Sequence, residues 1–269
     1  MKAVRKTTIA GKLIHRNVVI TSGNHKRGRK ARHAITKEAV RKNNDLMAVW
    51  RLWMLLANNF DASGSHVTLT YAGDAPNKEQ AAKDRVNMLR RLKRAFAREN
   101  QELMYVIVTE YENARIHHHM VINSQDVGMI TSLWGKGSVH FTALREEGDF
   151  RDLAEYLIKE TTKTFRDPDS QHKHRYARSK NLIMPATVKQ EVSLAALEDD
   201  PVAIKGYYIP KERVRRYEHP VTGLEHLEYV EIAMGKPRRF KVWPHGEVVN
   251  QREHFRVTEV EEQEEFEIE

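Results

Sequence analysis

The 269 residues contain no cysteine, which rules out disulfides and thiolate metal ligands and fits a reducing compartment. No apolar run approaches the roughly 20 residues of a membrane span, and no signal-peptide pattern opens the chain. The expectation is a soluble, cytoplasmic protein with no membrane partner. A Gly-x-x-x-x-Gly-Lys-[Ser/Thr] stretch is also missing, so no nucleotide-driven helicase is expected in this chain. There is no internal repeat.

What is present in excess is positive charge, unevenly distributed. The formal net charge is +8, and residues 1–50 carry 13 Lys or Arg against Glu38 and Asp45. Lys26, Arg27, Arg29, Lys30 and Arg32 fall within residues 23–33, which contain no acid and read as a flexible basic arm. The last eleven residues hold seven glutamates and no basic residue. A basic arm and an acidic tail are a common arrangement in proteins that handle nucleic acid. Removing residues 1–34 is expected to weaken binding to any DNA sequence without moving the cleavage position.

The most informative stretch is Arg115-Ile116-His117-His118-His119-Met120-Val121-Ile122-Asn123. Its apolar composition suits a strand, and side chains alternate across a strand, so His117, His119 and Val121 share one face. His118, Met120 and Ile122 share the greasier face, expected to pack on the core. Neutral imidazole is a common metal ligand, and two on one strand face suggest a metal site. Leu103 to Glu110 reads as a second strand rich in β-branched and aromatic residues. With Asn113 and Ala114 as a two-residue loop, Glu112 opposes Arg115 and Glu110 opposes His117. Opposed residues share a face, so Glu110 joins His117 and His119. A slip of one residue would turn Glu110 away, leaving Glu112 as the alternative ligand. One carboxylate and two imidazoles suit a divalent ion, with positions open for substrate oxygens. Mg2+ or Mn2+ is expected, and Zn2+ also tolerates such a set.

Asp149 to Lys163 reads as a helix with acidic first turns and a basic end. Phe150, Leu153, Ala154 and Leu157 form its apolar stripe. Tyr156, Lys159, Glu160 and Lys163 fall on another face.

Three regions follow: residues 1–61, a basic arm and a helix; residues 62–200, a central domain; and residues 201–269, an extension with short β-like pieces (227–232 and 239–243) and the acidic tail. Before residue 35 only Asn17–Ile20 looks like a strand. A helix capped by Thr36 runs to about Asn58, with Leu46, Val49, Trp50, Trp53 and Leu56 on one side. The central domain alternates strand, helix, hairpin, helix, strand and helix. Pro76-Asn77 opens its first helix, where Ala82, Val86, Leu89, Leu92 and Phe96 face inward. Arg90, Arg91, Arg94, Lys93 and Arg98 are then solvent-facing, and Arg90, Arg91, Arg94 and Lys163 are candidate DNA contacts beside the arm. The expected fold is α+β, an antiparallel sheet with helices packed on one side.

The order of these parts resembles a known family. A His66-Val67-Thr68-Leu69-Thr70-Tyr71 strand, a basic helix, Glu110, His117-x-His119 and Tyr156-x-x-Lys159 resemble the single-tyrosine HUH endonucleases, the rolling-circle replication-associated (Rep) proteins of phages, plasmids and mobile elements. The likeness runs from about Ala39 to Tyr208 and includes Leu133-Trp134-Gly135-Lys136-Gly137 and the segment Tyr176 to Pro185. It departs at His118, where the family's usual residue is bulky and apolar, so leucine is expected to be accepted there. The resemblance implies an HUH palm over residues 62–200, a metal held by His117, His119 and Glu110, and attack by Tyr156 on a phosphodiester. In that chemistry the tyrosine keeps the 5′-phosphate, a free 3′-hydroxyl primes replication, and a reverse transesterification rejoins the strand. It also implies single-stranded or origin-hairpin DNA, a host helicase and a polymerase as partners, in the cytoplasm of a bacterial host. Two other classes share parts of the pattern: a DNA-binding control protein without catalysis, and a metal-dependent hydrolase using water. Within the HUH class, relaxases typically carry a more widely spaced three-histidine cluster, and the single-tyrosine transposases are shorter.

Overall fold

The computed structural model describes residues 2–21, 37–111, 115–166, 174–219, 221–237, 240–245 and 254–259. Along the chain the elements are β1 (Lys2–Ala10), β2 (Leu13–Thr21), α1 (Lys37–Asn59), β3 (Ser65–Leu69), α2 (Lys78–Arg98), β4 (Tyr105–Glu110), β5 (His117–Ile122), α3 (Val127–Trp134), β6 (Val139–Ala143), α4 (Arg151–Arg166), β7 (Ala177–Arg178), β8 (Thr187–Val192), α5 (Ala195–Glu198), β9 (Tyr207–Tyr208), β10 (Arg215–Glu218), β11 (Glu225–Ala233), β12 (Phe240–His245) and β13 (His254–Glu259). They form two compact units, Asn44–Met184 and Met1–Asn43 with Pro185–Glu269. No described helix is long and apolar enough to cross a membrane.

The unit Asn44–Met184 is built on a five-stranded antiparallel sheet in the order β6-β3-β5-β4-β7. Strand, helix, hairpin, helix, strand and helix follow one another as the sequence pattern suggests. β4 and β5 pair with Glu110 opposite His117, Thr109 opposite His118 and Val108 opposite His119. That is the register expected from a two-residue loop, although Glu112, Asn113 and Ala114 lie outside the described residues.

One sheet face carries Val67, Leu69, Ile107, Met120 and Ile122, which pack on Met88, Leu92 and Phe96 of α2 and Ile130 and Trp134 of α3. The other face is not clear of the core. Val106, Val108 and Val121 are buried there, and α4 packs beside β4. The helices therefore cover both faces rather than the one side expected. The reason is in the strand composition: β4 alternates nothing, offering Val-Ile-Val to both sides, and two-sided burial suits such a run.

Helix α2 opens where expected, with the Gln80 N–H donating to the Asn77 side chain at 2.8 Å. Its inward stripe is Ala81, Asp84, Met88, Leu92 and Phe96, and Val86 is exposed instead of inward. The stripe rotates because Asp84 is turned in to meet Gln80 at 3.0 Å and Lys136 at 3.4 Å, a partner more than fifty residues away. In α1, Leu46 is exposed, while Leu52 to Ala57 are buried all round. Its expected cap, Thr36, is outside the described residues.

The Leu133-Trp134-Gly135-Lys136-Gly137 turn locks the end of β3 in place. The Trp134 indole donates to the Thr70 carbonyl at 2.7 Å, and the Thr70 and Ala72 N–H groups donate to Ser138 and Lys136 carbonyls. Gly135 ends α3 in the left-handed region, φ 56°. A Cβ on Gly137 would lie 2.6 Å from Ala72 N and 2.7 Å from Tyr71 C, and would also strike the Thr70 carbonyl.

The second unit corrects the reading of the N-terminus. Residues 2–21 are a long hairpin, β1 and β2, and the chain divides at 43/44 and 184/185 rather than at 61 and 200. The sheet order is β10-β11-β2-β1-β8, with β9 beside β11. Charged residues break the alternation of β1 and β2, and their partners lie far along the chain: Arg16 pairs with the buried Glu231, and His15 lies 3.1 Å from Glu228. Removing residues 1–34 would therefore strip two strands from the middle of a sheet. The basic arm and the acidic tail beyond Glu259 lie outside the described residues.

Gly137→Ala should lower stability by about 2 kcal/mol or more, because rigid backbone surrounds the new methyl. Thermal denaturation should show a melting temperature lower by roughly 4–8 °C.

Candidate functional site

β5 presents His117 and His119 to one face because alternate residues of a strand point the same way. The register of β4 brings Glu110 between them, and the three offer ligand atoms that all lie within 4.8 Å of one another. His117 Nε2 is 3.2 Å from Glu110 Oε2 and 3.0 Å from His119 Nε2. Glu110 and His119 are buried and His117 is partly so.

Hydrogen bonds behind the rings set which nitrogens face the centre. His117 Nδ1–H donates to the Arg115 carbonyl at 2.8 Å, which leaves the Nε2 lone pair pointing at Glu110 and His119. A neutral His117 and an ionised Glu110 would then face each other lone pair to lone pair, an arrangement that a cation between them relieves. The donor set fits a divalent ion bound by carboxylate and imidazole. Burial, then His117 and His66, lowers the His119 pKa to about 3, so the ring is neutral and able to act as a ligand at neutral pH.

Helix α4 carries the tyrosine to this cluster. The Arg151 N–H donates to Asp149 at 3.2 Å at its start, and Phe150, Ala154, Leu157, Ile158 and Thr161 are buried. Tyr156 on the remaining side is 41% exposed, with its hydroxyl 3.2 Å from His119 Nε2 and its ring 5.1 Å from that imidazole. Burial first, then Glu160 and Glu110, raises the Tyr156 pKa. The residues alone therefore hold it as a phenol, and positive charge at the cluster would act in the opposite direction.

Two residues of the site lie outside the short motifs. On β3, Thr68 is opposite His119. Its hydroxyl is 3.2 Å from His119 Nδ1, and His66 Nε2 is 3.3 Å from the same atom. The His66 ring stacks on His119 at 5.3 Å. The signal for them is the same alternation, since His66 and Thr68 are two apart on a strand, but pairing of β3 with β5 is not readable without the sheet order.

His118 points to the opposite face and is fully buried. Its Nε2 is 3.0 Å from the Tyr71 hydroxyl and its Nδ1 is 2.8 Å from the Thr109 hydroxyl. Arg85 donates to the same Thr109 at 3.2 Å. Burial, with Arg85 and the two flanking histidines, lowers the His118 pKa to about 3. It is a neutral core histidine with both nitrogens engaged, so leucine is not the harmless replacement expected.

The other candidate residues divide. Lys159 is exposed one turn along from Tyr156. Arg90, Arg91 and Arg94 are on α2 and at least partly exposed. That helix packs on the sheet face opposite the cluster, and Arg91 donates to the Leu133 carbonyl at 2.9 Å. The structure does not bring these arginines to the site. The Lys163 side chain and Lys26, Arg27, Arg29, Lys30 and Arg32 lie outside what is described.

His117→Ala and His119→Ala should each weaken Mn2+ binding by roughly tenfold or more in calorimetric titration. His118→Leu should keep the metal but lower stability by about 1–3 kcal/mol, because it strands hydroxyls in the core. Metal loss in His118→Leu with retention in His117→Ala would reverse the strand facing.

The family model of the replication-associated protein ORF2 matches residues 64–165, from just before β3 to the last turn of α4. No curated protein and no solved structure matches the chain. The matched span contains Glu110, His117, His119 and Tyr156, and it supports a Rep-like protein with a role in replication.

Proposed function

We propose that the protein is an HUH-type DNA nicking and joining enzyme that initiates rolling-circle replication. The observation that carries this reading is the Tyr156 hydroxyl lying 3.2 Å from His119 Nε2, at the edge of the Glu110, His117 and His119 group.

A phenol with an ordinary pKa near 10 is a poor nucleophile at neutral pH, and the surroundings of Tyr156 make its ionisation harder still. Mg2+ or Mn2+ held by Glu110, His117 and His119 would supply positive charge to the non-bridging oxygens of the scissile phosphate and favour the phenolate. Tyr156 attacks phosphorus, a bond from phosphorus to the tyrosine oxygen forms, and the bond to the 3′ oxygen breaks. One phosphodiester replaces another, so no nucleotide hydrolysis is needed and the reverse step rejoins the strand. Lys159, on the same helix face one turn on, neutralises an adjacent phosphate. His66 and Thr68 hold the imidazole of His119 from behind.

The substrate is single-stranded DNA or an origin hairpin opened to a single strand. His140 and Thr142 of β6 are exposed on the face that carries Thr68 and His119, and give a strand a polar approach to the tyrosine. A host helicase and polymerase would complete replication, since the free 3′-hydroxyl is a primer. The basic arm adds phosphate contacts that position without specifying.

Tyr156→Phe should abolish both cleavage and covalent adduct while leaving fold and DNA affinity intact, read on a denaturing gel with Mn2+ and labelled single-stranded DNA. Persistent nicking at the same position would mean that water or another tyrosine is the nucleophile. Replacing Lys26, Arg27, Arg29, Lys30 and Arg32 with glutamine should weaken binding to origin and scrambled oligonucleotides by a similar factor. A loss of discrimination between the two would mean that the arm reads bases.

A further inference from the structure

The sheet of the unit Met1–Asn43 with Pro185–Glu269 has one apolar face and one more polar face. Ala3, Val18, Leu227 and Tyr229 pack with Leu197 of α5 in one cluster. On the polar face, a single rung crosses the sheet: Lys189 opposite Lys6, Lys6 opposite Asn17, Asn17 opposite Glu228, and Glu228 opposite Arg215. One pleat along on the same face lie His226 and Tyr217, directly opposed.

Two lysines opposed across a strand pair repel, and such pairs destabilise a sheet unless something else holds them. The carboxylates nearest them are taken: Glu228 lies 3.1 Å from His15, and Glu191 pairs with Lys2 at 3.0 Å. Among the described residues neither Lys6 nor Lys189 has an acidic partner. Burial and then Lys189 push the Lys6 pKa below the ordinary lysine value, which is what an unneutralised, half-buried amine shows.

Two imidazoles complete the cluster. His219 and His226 have ring centres 5.0 Å apart, and Lys6 is close enough to disfavour charge on both. His219 Nδ1 accepts from the Val221 and Thr222 N–H groups at 3.2 and 3.3 Å. Its proton is therefore on Nε2, an available donor. His226 Nδ1 is buried and has no hydrogen-bond partner. Two ammonium groups and an imidazole N–H, gathered on a sheet face where the neighbouring carboxylates are engaged elsewhere, are the donor set of a phosphate.

We propose that Lys6, Lys189, His219 and His226 form a phosphate site that holds the backbone of single-stranded DNA, away from the tyrosine site. This rests on the reading of the protein as a DNA enzyme, though not on its chemistry. Arg215, 5.7 Å from the centre of the Tyr217 ring, extends the positive row toward the next phosphate.

The test is fluorescence anisotropy of a labelled single-stranded oligonucleotide of scrambled sequence, at several salt concentrations, on the full chain carrying Tyr156→Phe. Adding Lys6→Gln and Lys189→Gln should weaken binding about tenfold and reduce the slope of log K against log salt by about 1.4, near 0.7 for each phosphate no longer neutralised. The melting temperature should hold or rise, because a like-charge repulsion is removed. If the double variant fails to fold, Lys189→Gln alone at its exposed position should give about half the change in slope. Replacing two exposed lysines elsewhere on the same unit, Lys205→Gln and Lys236→Gln, should change the slope less. Unaltered affinity and slope in the lysine pair, or an equal change in the control pair, would overturn the site. Adduct formation by the wild-type chain is read separately. Lysine-dependent binding without an adduct would sink the proposed chemistry and leave this site standing, and an adduct with lysine-independent binding would do the reverse.

Discussion

Everything at the tyrosine site depends on the register in which β4 pairs with β5. Glu110 stands opposite His117, and because a strand repeats every two residues, that single pairing puts Glu110, His117 and His119 on one face and His118 on the other. A slip of one residue would bury the carboxylate in the apolar face and break up the ligand set. The register is held from both sides. Ile107, Met120 and Ile122 are anchored by α2 and α3, while Val106, Val108 and Val121 are buried on the face where α4 lies.

The same alternation gives the site a rigid back. His118 fills a core position with Tyr71 and Thr109 on its two nitrogens, and Trp134 packs on it with ring centres 5.6 Å apart. Trp134 is itself tied to the end of β3 through the Thr70 carbonyl. The glycine-rich turn after α3, the tyrosine after β3 and the middle histidine are thus one packed assembly behind the metal ligands. A ligand set needs such support to keep its geometry when phosphate enters and leaves.

Much of this is legible in the sequence because the signals are local. Period-two alternation names the histidine face, a short turn names the partner carboxylate, and periodicity on α4 names the tyrosine face. What escapes is non-local. Asp84 turns α2 by meeting Lys136, and His118 is polar in the core because Tyr71 and Thr109 reach it from neighbouring parts of the sheet. The hairpin of residues 2–21 is hidden because its charges are matched by Glu228 and Glu231, more than two hundred residues away. The arginines of α2 point outward as the helix pattern implies, but nothing in one helix says which sheet face it covers.

Tyr156, poised by the Glu110, His117 and His119 group, is the proposed nucleophile that forms a covalent link to DNA. Mass spectrometry of tryptic peptides, after incubation with Mn2+ and an oligonucleotide containing the cleavage site, tests this most directly. Nucleotide mass is expected on the peptide Asp152 to Lys159, with the link at Tyr156 through the 5′-phosphate of the downstream product. Cleaved DNA with both products free of protein, or a link on any other residue, would contradict it.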